Sequence, residues 1–348
     1  MAYQLRNPAD ASWTQDLLGP DYGRRELPLS DSNSATLIRH RPRHRSFSQR
    51  LLPPLRGIAV LYVHGWSDYF FQTELAEFLT SAGADFYAVD LRRYGRSLKP
   101  DSTPGFITDL ADYAEEFDAA HRIITSAHPG TRFVLLGHST GGLSAALYAA
   151  ANPGKVDALA LNSPWLEFQA TELGRTALSK LLAASSHFNP RRTLPSVDPG
   201  LYTRTVSNQF EGEWDYDLSW RPVNGFKVTT GFLNAVFNAQ ARVKKGLELD
   251  MPVLALLSSH NYLLPRWHDS ATSSDVALNV QAVAHRCIDL GRDLHLHRLP
   301  GALHDVFLSA PPVRAQAYMQ LGSWLAELKH RQHDSQLATV IKRILPEE

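Results

Sequence analysis

The chain has 348 residues, 44% of them apolar, and sets 35 Lys and Arg against 35 Asp and Glu. A net charge of zero gives no general attraction for phosphate backbones or anionic membranes, so nucleic acid is not an expected partner. One cysteine, Cys287, excludes an internal disulfide framework and any metal site needing two thiolates, and it fits a reducing cytoplasm.

The length allows one large α/β domain with an insertion, or two ordinary domains. The opening residues Met1 to Pro8 have no apolar signal-like run. Later apolar runs are strand-length, far below the ~20 residues of a membrane-spanning helix. A soluble, cytoplasmic protein without integral membrane insertion is expected.

In chain order, Arg24 to Leu29 and Ala35 to Arg41 read as two extended stretches around the turn-forming run Ser30 to Ser34, which predicts an antiparallel hairpin. The basic run Arg41 to Arg45 has no second run to extend it and reads as a solvated loop. From Gly57 the pattern becomes short apolar runs alternating with amphipathic segments. It predicts strands at Ile58 to Val63, Phe86 to Val89, Phe133 to Leu136 and Val156 to Leu161, with helices at Glu74 to Ala82, Leu110 to Ala127 and Leu143 to Ala151. Strands apolar on both faces and alternating with helices imply a mostly parallel sheet covered by helices on both faces, which is an α/β architecture.

The alternation stops after Leu161 and resumes with a strand at Val253 to Leu257, a helix at Val276 to Leu290, a strand at Leu294 to Leu299 and a C-terminal helix at Val313 to Leu328. This divides the chain into a first core part (1–161), a mainly helical cap insertion (162–250) and a second core part (251–348). The insertion has helical pieces at Thr171 to Ser185 and Phe232 to Leu247. It also holds eleven aromatics between Trp165 and Phe237, above the chain average of 10%. Those rings are expected either to cover a site or to form the insertion's own core.

Gly137-His138-Ser139-Thr140-Gly141-Gly142 lies directly between a predicted strand and a predicted helix. A serine at the tip of such a turn needs small residues two places either side, which Gly137 and Gly141 supply. The turn lifts its hydroxyl above the carboxyl edge of the sheet, at the amide end of the helix. A serine hydroxyl is a weak nucleophile unless a histidine takes its proton and a carboxylate fixes that histidine's tautomer. Among fifteen histidines, His304 follows the strand Leu294 to Leu299 and so stands at the same sheet edge. His295 and His297 share one strand face, which is expected to be exposed rather than metal-binding. The amide of Thr140, next after the nucleophile, is an expected oxyanion donor.

With His64-Gly65 after the first long strand, Asp90-Leu91-Arg92-Arg93-Tyr94-Gly95-Arg96-Ser97 after the next, the Ser139 elbow and Gly301-Ala302-Leu303-His304-Asp305, the chain resembles the α/β-hydrolase superfamily. Within it, the chain is similar to the monoacylglycerol lipase, lysophospholipase and S33 serine aminopeptidase-like group. The resemblance runs from about Gly57 to Leu325 and is weak through the insertion. It implies Ser139 as nucleophile, His304 as base and an acid between them in sequence. Asp275, followed by an apolar helix-leading stretch, matches the family's acid. Asp269, in the long loop after Leu257, is the alternative, and helix capping is the structural alternative for Asp275. The His-Gly-x pattern points to Trp66 as the second oxyanion donor, leaving His64 to prop its loop and Asp90 with Arg92 to brace the neighbouring turn.

The expected reaction is hydrolysis of a small-molecule carboxylic ester through an acyl-enzyme, with no metal or organic cofactor. Trp165, Phe168, Trp214, Trp220 and Phe232 are expected to line an acyl pocket. Two alternatives stand beside it. One is an S33-type aminopeptidase holding the substrate ammonium with Glu167, Glu172, Glu211 or Glu213. The other is a non-catalytic binding protein on the same fold.

Overall fold

A computed structural model describes residues 13–42, 53–168, 183, 185–195 and 199–344, with side chains described as far as residue 328. Its strands are β1 (Thr14–Asp16), β2 (Gly19–Pro28), β3 (Ser34–His40), β4 (Ile58–Val63), β5 (Asp85–Asp90), β6 (Arg132–His138), β7 (Ala158–Asn162), β8 (Val253–Ser258) and β9 (Leu294–Leu299). They form one sheet in the order β1-β2-β3-β5-β4-β6-β7-β8-β9. The six strands from β4 to β9 run parallel, while β1, β2 and β3 add an antiparallel edge beside β5. The helices are α1 (Thr73–Ser81), α2 (Ala114–Ala127), α3 (Thr140–Ala151), α4 (Leu201–Val206), α5 (Thr230–Val243), α6 (Val280–Cys287) and α7 (Pro311–Ile344).

The parallel strands are buried on both faces because their apolar runs have no polar side to show to water. Successive residues of β4 go to opposite cores. Ala59, Leu61 and Val63 pack with Phe117 and Ile124 of α2 and with α3. Ile58, Val60 and Tyr62 pack with Leu75 and Leu79 of α1 and with Leu321, Trp324 and Leu325 of α7. The chain passes from β4 to β5 on one side and then crosses to β6 on the other, so strand order reverses around β4. The carboxyl ends of β4 and β6 therefore flank a crevice, the usual position of a site in an open parallel sheet.

The predicted hairpin and core strands are present, and β1 is an additional strand that the sequence pattern did not mark. The helix expected from Val276 to Leu290 is confined to Val280–Cys287, because Asn279 caps it by accepting the Ala282 amide (3.0 Å). Residues 163–252 separate β7 from β8, contribute no strand to the sheet among their described residues, and include α4 and α5. Most of the first predicted helical piece of that segment, and the basic run beyond Pro42, lie outside the described residues. Among the described residues no helix is long and apolar enough to cross a membrane.

Candidate active site

Ser139 is the residue between β6 and α3, with φ 51° and ψ −118°. That is a strained backbone for any residue bearing a Cβ. The turn closes because its glycines allow direct backbone contact. A Cβ on Gly137 would lie 2.6 Å from the Gly142 Cα, and one on Gly141 would collide with the carbonyl oxygen of His64. Ser139 Oγ lies 3.1 Å from His304 Nε2, and His304 Nδ1 lies 2.9 Å from Asp275 Oδ2. All three residues are buried. With Nδ1–H donated to the carboxylate, Nε2 is left to accept the serine proton.

Asp275 is held from both sides. Its Oδ1 accepts the amides of Ala277 (2.7 Å) and Leu278 (2.8 Å), while its backbone pairs with His260 and Tyr262 in the long loop after β8. The capping alternative belongs to Asn279, and Asp269 lies exposed on a short 3₁₀ turn. His304 is fixed through the residue that follows it. Asp305 accepts from Asn162 Nδ2 (2.6 Å) and Gln72 Nε2 (3.1 Å), and Asn162 Oδ1 accepts the Val306 amide (3.0 Å). Asp305 was visible beside His304 in the sequence, but its partners lie 143 and 233 residues away.

The loop after β4 lies against Ser139, since a Cβ on Gly65 would stand 3.0 Å from the Ser139 Cβ. His64 accepts the Leu91 amide at Nε2 (3.1 Å), which leaves Nδ1–H to donate to the Gly65 carbonyl (2.7 Å). Asp90 and Arg92, expected together to brace the neighbouring turn, do not pair with each other. Asp90 binds Arg96 (2.8 Å) and the Phe70 amide (2.9 Å), whereas Arg92 binds Glu116 (2.7 Å). β5 ends at Asp90, whose side chain faces the loop after β4, and the turn that follows carries Arg92 towards Glu116 of α2.

The structure separates the five aromatics assigned to one pocket. Trp165 and Phe168 are half-buried beside α5, and the Trp165 amide donates to the Ser139 carbonyl (3.0 Å). Phe232 is buried and stacks on Trp66 with ring centroids 3.7 Å apart. Trp214 and Trp220 belong to a different cluster, with Tyr69 and Phe71. The described glutamates suggested for an ammonium are each paired: Glu167 with Arg286, Glu211 with Arg204 and Glu213 with Arg314. Glu172 lies outside the described residues.

Tyr202, on α4, was not marked by the sequence. Its ring lies 5.1 Å from that of His304, and its hydroxyl donates to His138 Nε2 (3.1 Å), while His138 Nδ1 donates to the Asn162 carbonyl (3.1 Å). Burial holds the His138 imidazole below its ordinary pKa, so it stays neutral and places no charge beside His304. His64 is depressed in the same way, with burial again the largest cause. Both histidines can take up a proton in the unfolded chain below about pH 6.5, while the folded protein resists it. Their contribution to stability is thus complete above that pH and is lost as pH falls. The melting temperature should decline between pH 7.5 and 5.5, and a flat profile would contradict this account.

A mostly parallel sheet with a serine at a strained strand-to-helix turn after β6 defines an α/β-hydrolase. Residues 56–310 match the family described as Serine aminopeptidase, S33 (Hydrolase_4), and the chain belongs to that family. Among curated relatives, it is 26% identical over 259 residues to the monoacylglycerol lipase of Mycolicibacterium smegmatis, covering 72% of this chain and 82% of the relative. It is 24% identical over 255 residues to a monoglyceride lipase homolog of Monkeypox virus, covering 72% and 83%. Among solved structures, a soluble variant of monoglyceride lipase from Saccharomyces cerevisiae in complex with a substrate analog aligns with TM-score 0.64 and 15% identity, over 87% of this chain and 94% of that one. The monoacylglycerol lipase of Paleococcus ferrophilus aligns with TM-score 0.58 and 21% identity, over 78% and 94%. These two structural likenesses concern the fold.

Proposed function

We propose that the protein hydrolyses carboxylic esters of small molecules through an acyl-enzyme, without a metal or organic cofactor. The observation that carries this reading is the hydrogen-bonded series Ser139 Oγ, His304, Asp275 at the elbow. In this mechanism Oγ attacks the ester carbonyl carbon as His304 Nε2 takes its proton. The negative oxygen is received by the amides of Trp66 and Thr140, at the amide end of α3. Collapse of this intermediate breaks the bond to the alcohol, which leaves with the proton from His304. Water then attacks the acyl-enzyme by the same route and releases the acid.

An ester is favoured over an N-terminal peptide because the described glutamates of the inserted segment are already bound to arginines. The relatives named as monoacylglycerol lipases support the same choice, with a monoacylglycerol as the substrate class and a lysophospholipid or another acyl ester as the alternative. Residues 162–250 serve as the cap, and Trp165 and Phe168 contact the acyl chain. A location in the cytoplasm fits the single buried thiol of Cys287.

The test is labelling by a serine-reactive fluorophosphonate, followed by turnover of p-nitrophenyl and glycerol esters of graded chain length beside aminoacyl amides. Each methylene buried against Trp165 and Phe168 contributes up to about 0.8 kcal/mol. kcat/KM should therefore rise from two to about eight acyl carbons, and Trp165→Ala with Phe168→Ala should flatten the rise while sparing acetate esters. Preference for aminoacyl amides would overturn the ester assignment, and an unchanged length profile in the folded variants would overturn the pocket.

A further inference from the structure

The four consecutive residues 66 to 69, in the loop after β4, are each gripped by a different residue of the segment inserted between β7 and β8. Trp66 stacks on Phe232 at 3.7 Å. Ser67 Oγ accepts the Phe226 amide (3.0 Å), and Ser67 itself has φ 52°, an unfavourable backbone that needs an external hold. Asp68 Oδ1 lies 3.1 Å from Arg221 Nε, with both side chains buried. The Tyr69 hydroxyl accepts the Asp217 amide (2.7 Å).

Arg221 is itself fixed by aromatic faces, with Tyr202 at 4.4 Å and Tyr216 at 4.6 Å from its guanidinium carbon. An ion pair taken wholly out of water gains little stability over apolar packing, but separating its partners leaves a buried charge uncompensated, so Asp68 and Arg221 hold each other in place. It sits two residues from Trp66, whose amide must be aimed to about half an ångström at the developing oxyanion.

We propose that Arg221 is a positioning residue, which acts through Asp68 to set the loop bearing the Trp66 amide, so that the inserted segment is a working part of the oxyanion hole and not only a cover over the substrate. This rests on the role given above to the Trp66 amide. Core hydrogen bonds through His64 and Asp90 fix the two ends of the loop, and Tyr94 packs edge-on against the Trp66 ring, while the polar side-chain contacts of Ser67, Asp68 and Tyr69 given above come from the inserted segment. Displacing the donor weakens binding of the tetrahedral intermediate while leaving the ground-state ester and the Asp275–His304 pair untouched.

The experiment compares wild type with Arg221→Met and Asp68→Asn, and with Tyr69→Phe, which removes one grip without stranding a charge. Three quantities are read in variants shown to be folded by circular dichroism: kcat and KM on a p-nitrophenyl ester, the affinity of an alkylboronic acid that forms a tetrahedral adduct on Ser139, and the pH profile of kcat/KM. The expected result is a fall in kcat of about 10²-fold for Arg221→Met. Boronate affinity should fall in parallel, with KM and the pH profile retained, and Tyr69→Phe should fall in the same sense but less. If Arg221→Met does not fold, Tyr69→Phe carries the comparison alone. Wild-type kcat in the folded variants, a loss confined to KM, or a shifted pH profile would each overturn the proposal. Wild-type protein that neither turns over esters nor binds the boronate would instead overturn the serine hydrolase reading on which it rests.

Discussion

Ser139→Ala should lower kcat on esters by about 10⁶-fold and abolish fluorophosphonate labelling, the scale of loss when a nucleophile of this kind is removed. The cause is chemical: an alanine methyl has no proton for His304 to take and no oxygen to bind the acyl group. The elbow adds a second readout. At φ 51° both serine and alanine are strained, whereas glycine adopts that angle freely. Ser139→Gly should therefore be as inactive as Ser139→Ala but more stable than it, by about 1 kcal/mol in chemical denaturation. Residual turnover within tenfold of wild type, in protein free of contaminating esterase, would show that another group is the nucleophile.

Asp275→Asn should lower kcat by about 10⁴-fold with the fold retained. Asparagine keeps an oxygen to accept the amides of Ala277 and Leu278, so the local turn survives. Its NH₂, however, replaces the oxygen that faces His304 Nδ1. Two donors then meet there unless the imidazole changes tautomer, and the changed tautomer presents N–H to Ser139 instead of a lone pair. The carboxylate that stabilises the imidazolium is lost as well. Asp269→Asn should have little effect, because that side chain is exposed and lies outside the hydrogen-bonded series. If the two substitutions exchange effects, the long loop after β8 delivers the acid from an earlier position.

Much of this was legible without coordinates, and the reason differs from residue to residue. The strands around Val60, Leu135 and Ala255 were readable because burial on both faces demands a continuous apolar run. The Ser139 turn was readable because backbone contact at Gly137 and Gly141 excludes side chains there. His304 followed from its place just beyond β9. The helix after Asp275 was read too long because its apolar pattern begins before the cap at Asn279. Arg92 and Arg96 flank Asp90 at two and six residues' distance, and nothing local says which one turns back to it.

The sequence by itself determined the alternating α/β order, the position of the Ser139 turn and the carboxyl sheet edge where His304 stands. Each depends on periodicity or on steric limits acting within a few residues. Tertiary structure alone decided which arginine serves Asp90, that Trp214 and Trp220 join Tyr69 and Phe71 while Phe232 stacks on Trp66, and that Tyr202 reaches His304 and Arg221 reaches Asp68. Those contacts join groups up to 166 residues apart, as between Trp66 and Phe232. The contacts of the inserted segment arise only when it docks on the sheet edge, since the side chains that meet there are chosen by the shape and charge of two surfaces and leave no period in either.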